Sequence, residues 1–240
     1  MKKFRIIASK SNIYTGQVKK LKNESKLPTE ILYIEDLIED KIDLLKVENS
    51  IVYFLCCNSP LVPKAIEKIE KYSARIINKN YLENNYQKLY VQELLQKNGI
   101  KIPTIYSYDE NMSINFPIIC KENKHEGIIA QVYNMITLTR LFSKFNSKDF
   151  YLEDSIEKHS EIKVYFVGEK IFLREAENKD KELDEICKKI SIALDDLEVF
   201  SADIIQNVEG ENFVIDVNPA AGFYLSNDGR KYFLNELTKK

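Results

Sequence analysis

The sequence has no tryptophan and is poor in glycine, histidine and cysteine, which removes several common kinds of functional site. Because His125 and His159 are the only histidines, a metal centre built mainly from imidazole ligands is excluded. With only seven glycines, the chain contains no Gly-x-Gly-x-x-Gly and no Gly-Lys-[Ser/Thr] motif after a strand. The sequence therefore does not indicate a dinucleotide-binding fingerprint or a P-loop.

Cysteine is also scarce, and its placement indicates the redox state. No pair has Cys-x-x-Cys spacing, and each cysteine lies in or beside an apolar run; the four are Cys56, Cys57, Cys120 and Cys187. This pattern is typical of buried, reduced thiols and predicts a cytoplasmic protein without disulfides.

Long apolar runs and an excess of basic charge are absent as well. No run approaches the roughly 20 apolar residues that span a bilayer, and the run Ile6–Ala8 near the N-terminus is too short for a signal peptide. The net charge is −2 and the pI is about 5.9, with lysines spread along the chain. We therefore expect a soluble protein that has neither a nucleic-acid nor a membrane partner.

Residues 1 to about 80 alternate strand and helix patterns, which predicts an α/β fold with a parallel sheet covered by helices. The predicted strands are Phe4–Ile7, Glu30–Ile34, Ile51–Cys56 and Ala74–Ile77, and the predicted helices are Asp36–Leu45 and Pro60–Tyr72. Further along, helices are predicted before Gly99, over Leu183–Leu194 and over Asp228–Lys240. Strands are predicted at Phe116–Lys121, Ile128–Val132, Glu161–Gly168 and Lys170–Arg174.

The stretch from Ser201 to Phe223 predicts a hairpin with an oxygen-rich face. Its first strand carries Asp203, and its second strand carries Asp216 and Asn218 on one face, because side chains alternate along a strand. Two carboxylates and an amide oxygen suit Mg²⁺, which takes few protein ligands and fills its shell with water and phosphates. The alternative is an ordinary half-exposed hairpin with acids on its wet face.

Asp203 followed by Asp216-Val217-Asn218-Pro219 and Gly222 resembles the metal-binding signature of the ATP-grasp superfamily, although most members have Glu at the position of Asp216. The resemblance implies a small N-terminal parallel-sheet pre-ATP-grasp lobe (residues 1–80) followed by a two-lobed ATP-grasp fold. Its small lobe (81–155) would carry the phosphate-binding lysines, and its large lobe (156–240) the Mg-binding hairpin.

Two lysines match the phosphate-contacting positions of this family. Lys88 lies on a helix that ends in Gly99-Ile100-Lys101-Ile102-Pro103, and Lys121 ends the strand Phe116–Lys121, resembling the family's "fPvVvKp". For Lys88 the alternative is a solvent-facing helix lysine. The phosphate loop that follows departs from the family, because Gly127 is its only glycine; Lys124 and His125 are the residues that could compensate.

The segment Asp149–Ile156 resembles the hinge that reads adenine. The resemblance assigns Glu153, Asp154 and Ile156 to ATP binding and makes Glu161 a ribose or substrate contact. Lys163, where RimK-like ligases have Arg, and Arg174, near the transferred phosphate, are the catalytic candidates. A salt-bridged surface role is the alternative for Arg174.

Together these matches imply a carboxylate–amine ligase of the RimK-like type, using ATP and two Mg²⁺ ions, with Mn²⁺ as the alternative ion. The substrates would be a small-molecule or peptide carboxylate, activated as an acyl phosphate, and an amine. A kinase on the same scaffold and a non-catalytic nucleotide-binding descendant stay open, as does a homodimer. No motif identifies the substrates; Ser226–Arg230 is either a substrate-contacting segment or a helix N-cap.

Overall fold

The strand and helix patterns near the N-terminus form the parallel sheet that they predict. The computed structural model describes residues 2–10, 15–84, 86–109, 112–124, 127–173, 181–220 and 227–239. The sheet has the order β2-β1-β3-β4, where the strands are β1 (Lys3–Ala8), β2 (Thr29–Tyr33), β3 (Ser50–Phe54) and β4 (Arg75–Ile76). All its pairings are parallel; for example, Ile6 lies between Ile31 and Tyr53. The helices between these strands are α1 (Thr15–Glu24), α2 (Ile34–Ile38) and α3 (Val62–Glu70), and α4 (Lys79–Asn84) follows β4.

Two helix boundaries differ from the sequence prediction. The single helix predicted over Asp36–Leu45 is wrong, because α2 ends at Ile38 and a separate 3₁₀ turn covers Leu44–Val47. Asp40 between them has φ of 57°, a left-handed conformation that no helix can continue through. Lys68 of α3 donates hydrogen bonds to the carbonyls of Leu37 and Ile38 at 3.2 and 2.9 Å, so a tertiary contact satisfies the end of α2. Helix α3 begins at Val62, with proline in its first turn, and not at Pro60.

Contacts divide the chain into two units. Unit 1 comprises Met1–Asn85, Lys163–Ala202 and Val217–Lys240, and unit 2 comprises Tyr86–Ile162 and Asp203–Asp216. In unit 1, alternate residues of the parallel sheet enter different apolar clusters: Ile6 and Tyr53 belong to one cluster, and Ile7 to the other. Both faces of this sheet are therefore buried, as parallel sheets require. The lobe boundaries at residues 80 and 155 stay predictions.

Unit 2 contains an antiparallel sheet with one apolar and one polar face. Its order is β5-β8-β6-β7, from β5 (Ile105–Tyr106), β6 (Ile118–Glu122), β7 (Ile129–Val132) and β8 (Phe150–Asp154), and its helices are α5 (Lys88–Lys97) and α6 (Met135–Phe142). The apolar cluster is formed by Ile118, Cys120, Val132, Leu138, Phe150 and Leu152. The residues that alternate with these along the strands, including Lys121 and Glu153, must point to the opposite face.

A third sheet has the order β10-β9-β11-β12. Its strands are β9 (Lys158–Val167), β10 (Lys170–Leu173), β11 (Val199–Asn207) and β12 (Asn212–Asn218), with α7 (Lys181–Ala193) before β11 and α8 (Asn227–Lys239) after β12. The predicted hairpin is thus present as β11 and β12, and the chain passes between the two units within β9, β11 and β12.

All four cysteines are buried, as the apolar runs around them predicted. All four are free, and burial raises the pKa of Cys56 and of Cys120 to about 12, so both thiols are protonated at neutral pH. Among the described helices, none combines the length and the apolar character that crossing a membrane requires.

Candidate functional site

The polar face of the antiparallel sheet in unit 2 forms one wall of a cavity of about 380 Å³. All residues that line this cavity belong to unit 2. They include eight of the positions singled out by the sequence: Lys88, Lys121, Glu153, Asp154, Ile156, Glu161, Asp203 and Asp216. The structure therefore brings together residues that lie up to 128 positions apart in the sequence (Lys88 to Asp216).

A buried ion pair lies at the wall of this cavity. The Lys121 ammonium is 2.7 Å from the Glu153 carboxylate, and both side chains are almost completely buried. Lys121 also donates a hydrogen bond of 2.9 Å to the carbonyl of Ile215. Burial raises the pKa of Glu153, while the nearby Lys121 charge opposes that rise. The Lys121 ammonium is thereby held in one place, with its charge partly balanced by Glu153.

The Ile215 carbonyl connects this pair to strand β12. It accepts a second hydrogen bond from the buried Gln92 side-chain amide of α5, at 3.2 Å. Buried and half-buried residues alternate along β12 except at this point, where Ile215 and the next residue, Asp216, are both half-buried. Both residues border the cavity. The backbone next to Asp216 is thus fixed by two side chains from outside its own strand.

Lys88 and Asp216 form the second ion pair of the cavity, at 3.4 Å. The side chain of Lys88 is 12% exposed and that of Asp216 is 34% exposed, so this pair lies closer to solvent than Lys121 and Glu153 do. Asn123 fixes the first turn of α5, because its side-chain oxygen accepts from the Leu89 amide at 2.8 Å and its nitrogen donates to Gln87 at 2.9 Å. The solvent-facing alternative for Lys88 is wrong, since its side chain is largely buried.

The end of β8 and the start of β9 supply two further acids, Asp154 and Glu161. The Asp154 amide donates to the Thr104 carbonyl at 2.9 Å, and its carboxylate accepts from the Tyr106 hydroxyl at 3.4 Å. Burial, followed by the Asp154 charge, raises the pKa of Tyr106 to about 12, so this hydroxyl stays a donor. Glu161 pairs with Lys158 at 3.2 Å, and both residues line the cavity.

Gly127, between β6 and β7, has no room for a side chain beside the described residues around it. A Cβ at Gly127 would lie 2.8 Å from Cβ of Glu122 and 2.9 Å from the Lys124 carbonyl, closer than real Cβ atoms approach. The Glu122 carboxylate accepts from the Ile128 amide at 3.0 Å and forms an ion pair with Lys124. Lys124 is therefore paired within the loop, and His125 lies outside the described residues.

The charges around the cavity favour a divalent cation together with a polyanion. Three lysines and five carboxylates line it, a formal excess of two negative charges; they are Lys88, Lys121, Lys158, Glu153, Asp154, Glu161, Asp203 and Asp216. The described residues contain no cluster of three or more His, Cys, Asp or Glu side chains that could enclose a metal alone. Two aspartates with a bound phosphate group are the ligand set that Mg²⁺ normally takes, so Asp203 and Asp216 fit this ion.

The other three predicted residues do not belong to unit 2. Asn218 ends β12, and its side-chain oxygen accepts a hydrogen bond from the Ala220 amide at 2.9 Å, closing a turn after the strand. Lys163 is half-buried on β9, and Arg174 lies outside the described residues. Of the segment Ser226–Arg230, Ser226 is outside the described residues, whereas Arg230 is buried and pairs with Glu24 at 2.6 Å.

The structure also adds residues that the sequence did not single out. Lys158 contributes a third positive charge, and Ile129, Gln131 and Ile205 add apolar and amide surface. The available signal for Lys158 was its position three residues before Glu161, just ahead of the predicted strand Glu161–Gly168. Nothing in the local sequence separates Gln131 from other exposed strand residues.

No protein-family model matches the sequence, and no curated protein sequence matches it either. Solved structures do match. A RimK domain ATP-grasp protein from Sphaerobacter thermophilus is 12% identical and has a TM-score of 0.71, with 98% of this chain and 99% of that chain covered. D-alanine–D-alanine ligase from Bacillus anthracis is 15% identical and has a TM-score of 0.70, with 100% of this chain and 95% of that chain covered. The ATP-grasp ligase PsnB, solved with a precursor peptide and AMPPNP, is 12% identical and has a TM-score of 0.70, with 98% of this chain and 96% of that chain covered.

Proposed function

Because the chain has the ATP-grasp fold, we propose that it is an ATP- and Mg²⁺-dependent ligase that joins a carboxylate to an amine. The observation that carries the proposal is that two lysines, the largely buried Lys88 and the buried Lys121, line the same cavity as Asp203 and Asp216. Lysines bind phosphate oxygens as compact positive charges, and carboxylates hold the magnesium that accompanies a nucleoside triphosphate. The ligase assignment is supported by two similar structures that are named as ligases.

Each residue singled out by the sequence has a role in this proposal. Lys88 and Lys121 contact the phosphates, Glu153, Asp154 and Ile156 contact the adenine side, and Glu161 contacts the ribose. Asp203, Asp216 and Asn218 are the ligands for two Mg²⁺ ions, for which Mn²⁺ could substitute. Lys163 and Arg174 are the catalytic candidates next to the transferred phosphate, a role that rests on the family resemblance alone.

The proposed reaction needs positioning and charge neutralisation, without a protein nucleophile. A substrate carboxylate oxygen attacks the γ-phosphorus of ATP, the bond to the β-phosphate oxygen breaks, and ADP leaves. The amine nitrogen then attacks the acyl carbon, phosphate leaves with the bonding electron pair, and the nitrogen loses a proton to give the amide. Bound Mg²⁺ supplies neutralisation of phosphate charge. The lysines hold the nucleotide, since their ammonium groups are fixed by Glu153 and Asp216.

The substrate classes are a small-molecule or peptide carboxylate and an amine. Similar folds are named for both kinds of substrate, an amino acid in the Bacillus anthracis ligase and a precursor peptide in the PsnB complex. We include both classes in the proposal, together with a cytoplasmic location.

Thermal unfolding with Mg·ATP, Mg·ADP, Mg·GTP and ATP plus EDTA tests the nucleotide site. A ligand at 100 times its dissociation constant adds about 2.7 kcal/mol of stability, which raises the midpoint clearly. We expect a rise with adenine nucleotides that requires Mg²⁺, because the cavity has a formal excess of acids that repels an uncompensated triphosphate. Lys88→Met should remove the rise, whereas Lys97→Met, at an exposed position of the same helix, should keep it.

The chemistry is then tested by phosphate release. Amino acids and short peptides are supplied as paired carboxylates and amines with Mg·ATP, and products are identified by mass. An amide product that appears with one ADP and one phosphate supports the ligase. A phosphorylated product without coupled amine would instead assign a kinase, and nucleotide binding without any turnover would assign a non-catalytic nucleotide-binding protein.

A further inference from the structure

The first turn of α5 lacks the groups that usually stabilise the start of a helix. Its N-cap residue, Gln87, has an extended backbone and makes no side-chain capping hydrogen bond, and its first turn contains no acid. The first helical residue is Lys88, a cation at the end of the helix where the macrodipole is positive. The early amides of a helix also have no partner within the helix. Taken alone, α5 would fray at Lys88.

Asn123, one residue past the end of β6, supplies the missing cap. Its side-chain oxygen accepts a hydrogen bond of 2.8 Å from the amide of Leu89, the second residue of α5, although the two residues lie 34 positions apart in the sequence. Asparagine is among the best capping residues, because its short side chain brings an oxygen to such an amide. Its side-chain nitrogen donates to the side-chain oxygen of Gln87 at 2.9 Å. Both polar groups of the Asn123 side chain are thus bonded to the start of α5.

The antiparallel sheet fixes the position of Asn123. Its backbone amide donates to the Asp149 carbonyl at 2.7 Å, which continues the register in which Glu122 lies opposite Phe150. Because side chains alternate along such a strand, Asn123 extends from the same face as Lys121. The residue that caps α5 therefore lies two positions from one cavity lysine and holds the helix that begins with the other.

The two lysines need such a constraint because their charges act in the same place. Burial raises the pKa of Glu153, and the charges of Lys121 and of Lys88 both oppose that rise, so both ammonium groups lie near one carboxylate. Like charges in one cavity repel each other. The ion pair that Lys88 forms with Asp216 is 3.4 Å long and partly exposed, so it holds the ammonium only weakly. The backbone of α5 must therefore contribute to its position.

We propose that Asn123 is a positioning residue for Lys88: by capping α5 from the sheet, it holds the Lys88 ammonium in a set place relative to Lys121. This role rests on the proposed nucleotide site, in which both lysines contact phosphates. Ammonium groups that are held in place before binding lose less freedom when the nucleotide binds. Loss of the cap leaves Lys88 chemically intact but mobile, so nucleotide affinity falls although no ligand contact is removed.

Lysine labelling tests the positioning without any nucleotide. Acylation followed by peptide mass mapping measures the reactivity of Lys88 and of Lys121. We expect Asn123→Ala to raise the labelling rate of Lys88 roughly fivefold, the factor that loss of a helix cap corresponds to, and to leave that of Lys121 unchanged. Asn134→Ala is the matched control, because Asn134 caps α6 by accepting from the Thr137 amide at 3.0 Å. It should leave the labelling of both lysines unchanged.

Calorimetric titration with Mg·AMPPNP tests the functional consequence as a double-mutant cycle. Asn123→Ala should weaken binding roughly fivefold in otherwise wild-type protein. In Lys88→Gln the same change should weaken binding less than about twofold, because no ammonium is left to position. Gln87→Leu removes only the partner of the Asn123 side-chain nitrogen and should have a smaller effect than Asn123→Ala. Asn134→Ala should leave the affinity unchanged.

The outcomes separate this role from the proposed function. Unchanged Lys88 labelling in Asn123→Ala, or equal losses of affinity in the two backgrounds, would overturn the role of Asn123. An equal rise in labelling in Asn123→Ala and Asn134→Ala would show a general loosening of the fold and would overturn it as well. Faster Lys88 labelling in Asn123→Ala alone, with a wild-type protein that does not bind Mg·AMPPNP, would support the positioning of Lys88 and overturn the nucleotide site.

Discussion

The ammonium of Lys121 and the carboxylate of Glu153 are diagonal neighbours on one face of the antiparallel sheet, 2.7 Å apart. The register of β6 with β8 sets Ile119 opposite Glu153 and Lys121 opposite Tyr151. Lys121 and Glu153 therefore lie on neighbouring strands but are not directly opposite each other. Such diagonal positions are within reach of long side chains. The pair gives the cavity of unit 2 a fixed positive group whose position depends on the sheet and not on a loop.

We expect Lys121→Met to destabilise the protein by about 3–5 kcal/mol, because it leaves the buried Glu153 charge without its partner. Urea unfolding at neutral pH measures the change. Adding Glu153→Gln to the same variant should restore most of the loss, since no buried charge then stays unpaired. Lys97→Met on the exposed face of α5 should have almost no effect. A Lys121→Met variant as stable as wild type would contradict the buried pair.

The same carboxylate predicts a pH dependence. Burial raises the pKa of Glu153 in the folded protein above its ordinary value of 4.5. The folded state then binds more protons than the unfolded state above pH 4.5, so this contribution to stability falls as pH rises. The free energy of unfolding of wild type minus that of Glu153→Gln should therefore decrease with rising pH above 4.5.

A surface acid with the opposite shift provides the control for this pH series. The hydrogen bond from Lys101 lowers the pKa of Glu211 below its ordinary value of 4.5. The contribution of Glu211 to the free energy of unfolding is therefore present above pH 4.5 and is lost as pH falls. Urea unfolding of Glu211→Gln against wild type should show a slope of opposite sign. Equal slopes for the two variants would contradict the pKa assignments.

Much of this arrangement was predictable, because the patterns that define it are local. An apolar run predicted β6 with β7 as its return strand, strand runs around turn residues predicted β11 and β12, and the strand–helix alternation predicted the parallel sheet. The apolar face of the antiparallel sheet follows in the same way, since Ile118 and Cys120 alternate with Ile119 and Lys121 along β6.

What escaped prediction depends on contacts between distant residues. The end of α2 is set by Lys68, which lies 30 positions from Ile38 in the sequence, and no local pattern shows that contact. The pairing of Lys121 with Glu153 depends on strand register, and the fixation of the Ile215 carbonyl depends on Gln92 of α5. Register and packing select these partners, so the sequence supplied the candidate side chains but not their pairs.

Asp216→Asn should separate metal binding from stability. The Lys88–Asp216 pair is partly exposed, so losing it should cost less than about 1 kcal/mol. The Mg²⁺-dependent rise in the thermal midpoint with ATP should nevertheless disappear, because an amide binds Mg²⁺ more weakly than a carboxylate. Asp184→Asn on α7, where the acid pairs with Lys188, is the control and should keep the rise. A full rise with Asp216→Asn would exclude Asp216 as a metal ligand.

Gly127→Ala tests the loop between β6 and β7. The added Cβ meets the backbone carbonyl of Lys124 at 2.9 Å, so the loop must shift to admit it. We expect weaker Mg·ATP binding, measured by calorimetry, with a small loss of stability. Gly210→Ala, in the turn between β11 and β12, has open space around its Cβ and strain only from its φ of 83°. It should lose stability while keeping nucleotide affinity, and the reverse result would contradict a role of the loop in binding.

Asn78 should be among the most sensitive positions of unit 1. Its buried side chain accepts from the Glu198 and Val199 amides at 2.9 and 3.0 Å and donates to the Val199 and Pro219 carbonyls at 2.6 and 3.2 Å. It thereby fixes the start of β11 and the chain just after β12, the two strands of the hairpin that carries Asp203 and Asp216. Its φ of 61° adds a backbone conformation that alanine adopts poorly.

Asn78→Ala should therefore cost roughly 3 kcal/mol or more, because buried backbone groups lose their partners and the left-handed backbone is strained. Asn49→Ala is the matched control, since Asn49 has a similar φ of 54° at an exposed position. Asn49→Ala should lose only the stability that the left-handed backbone costs, about 1–2 kcal/mol. Urea unfolding of the two variants isolates the contribution of the buried hydrogen bonds as the difference between them. Equal losses would show that Asn78 matters for its backbone conformation alone, and the anchoring of the hairpin would have to be assigned elsewhere.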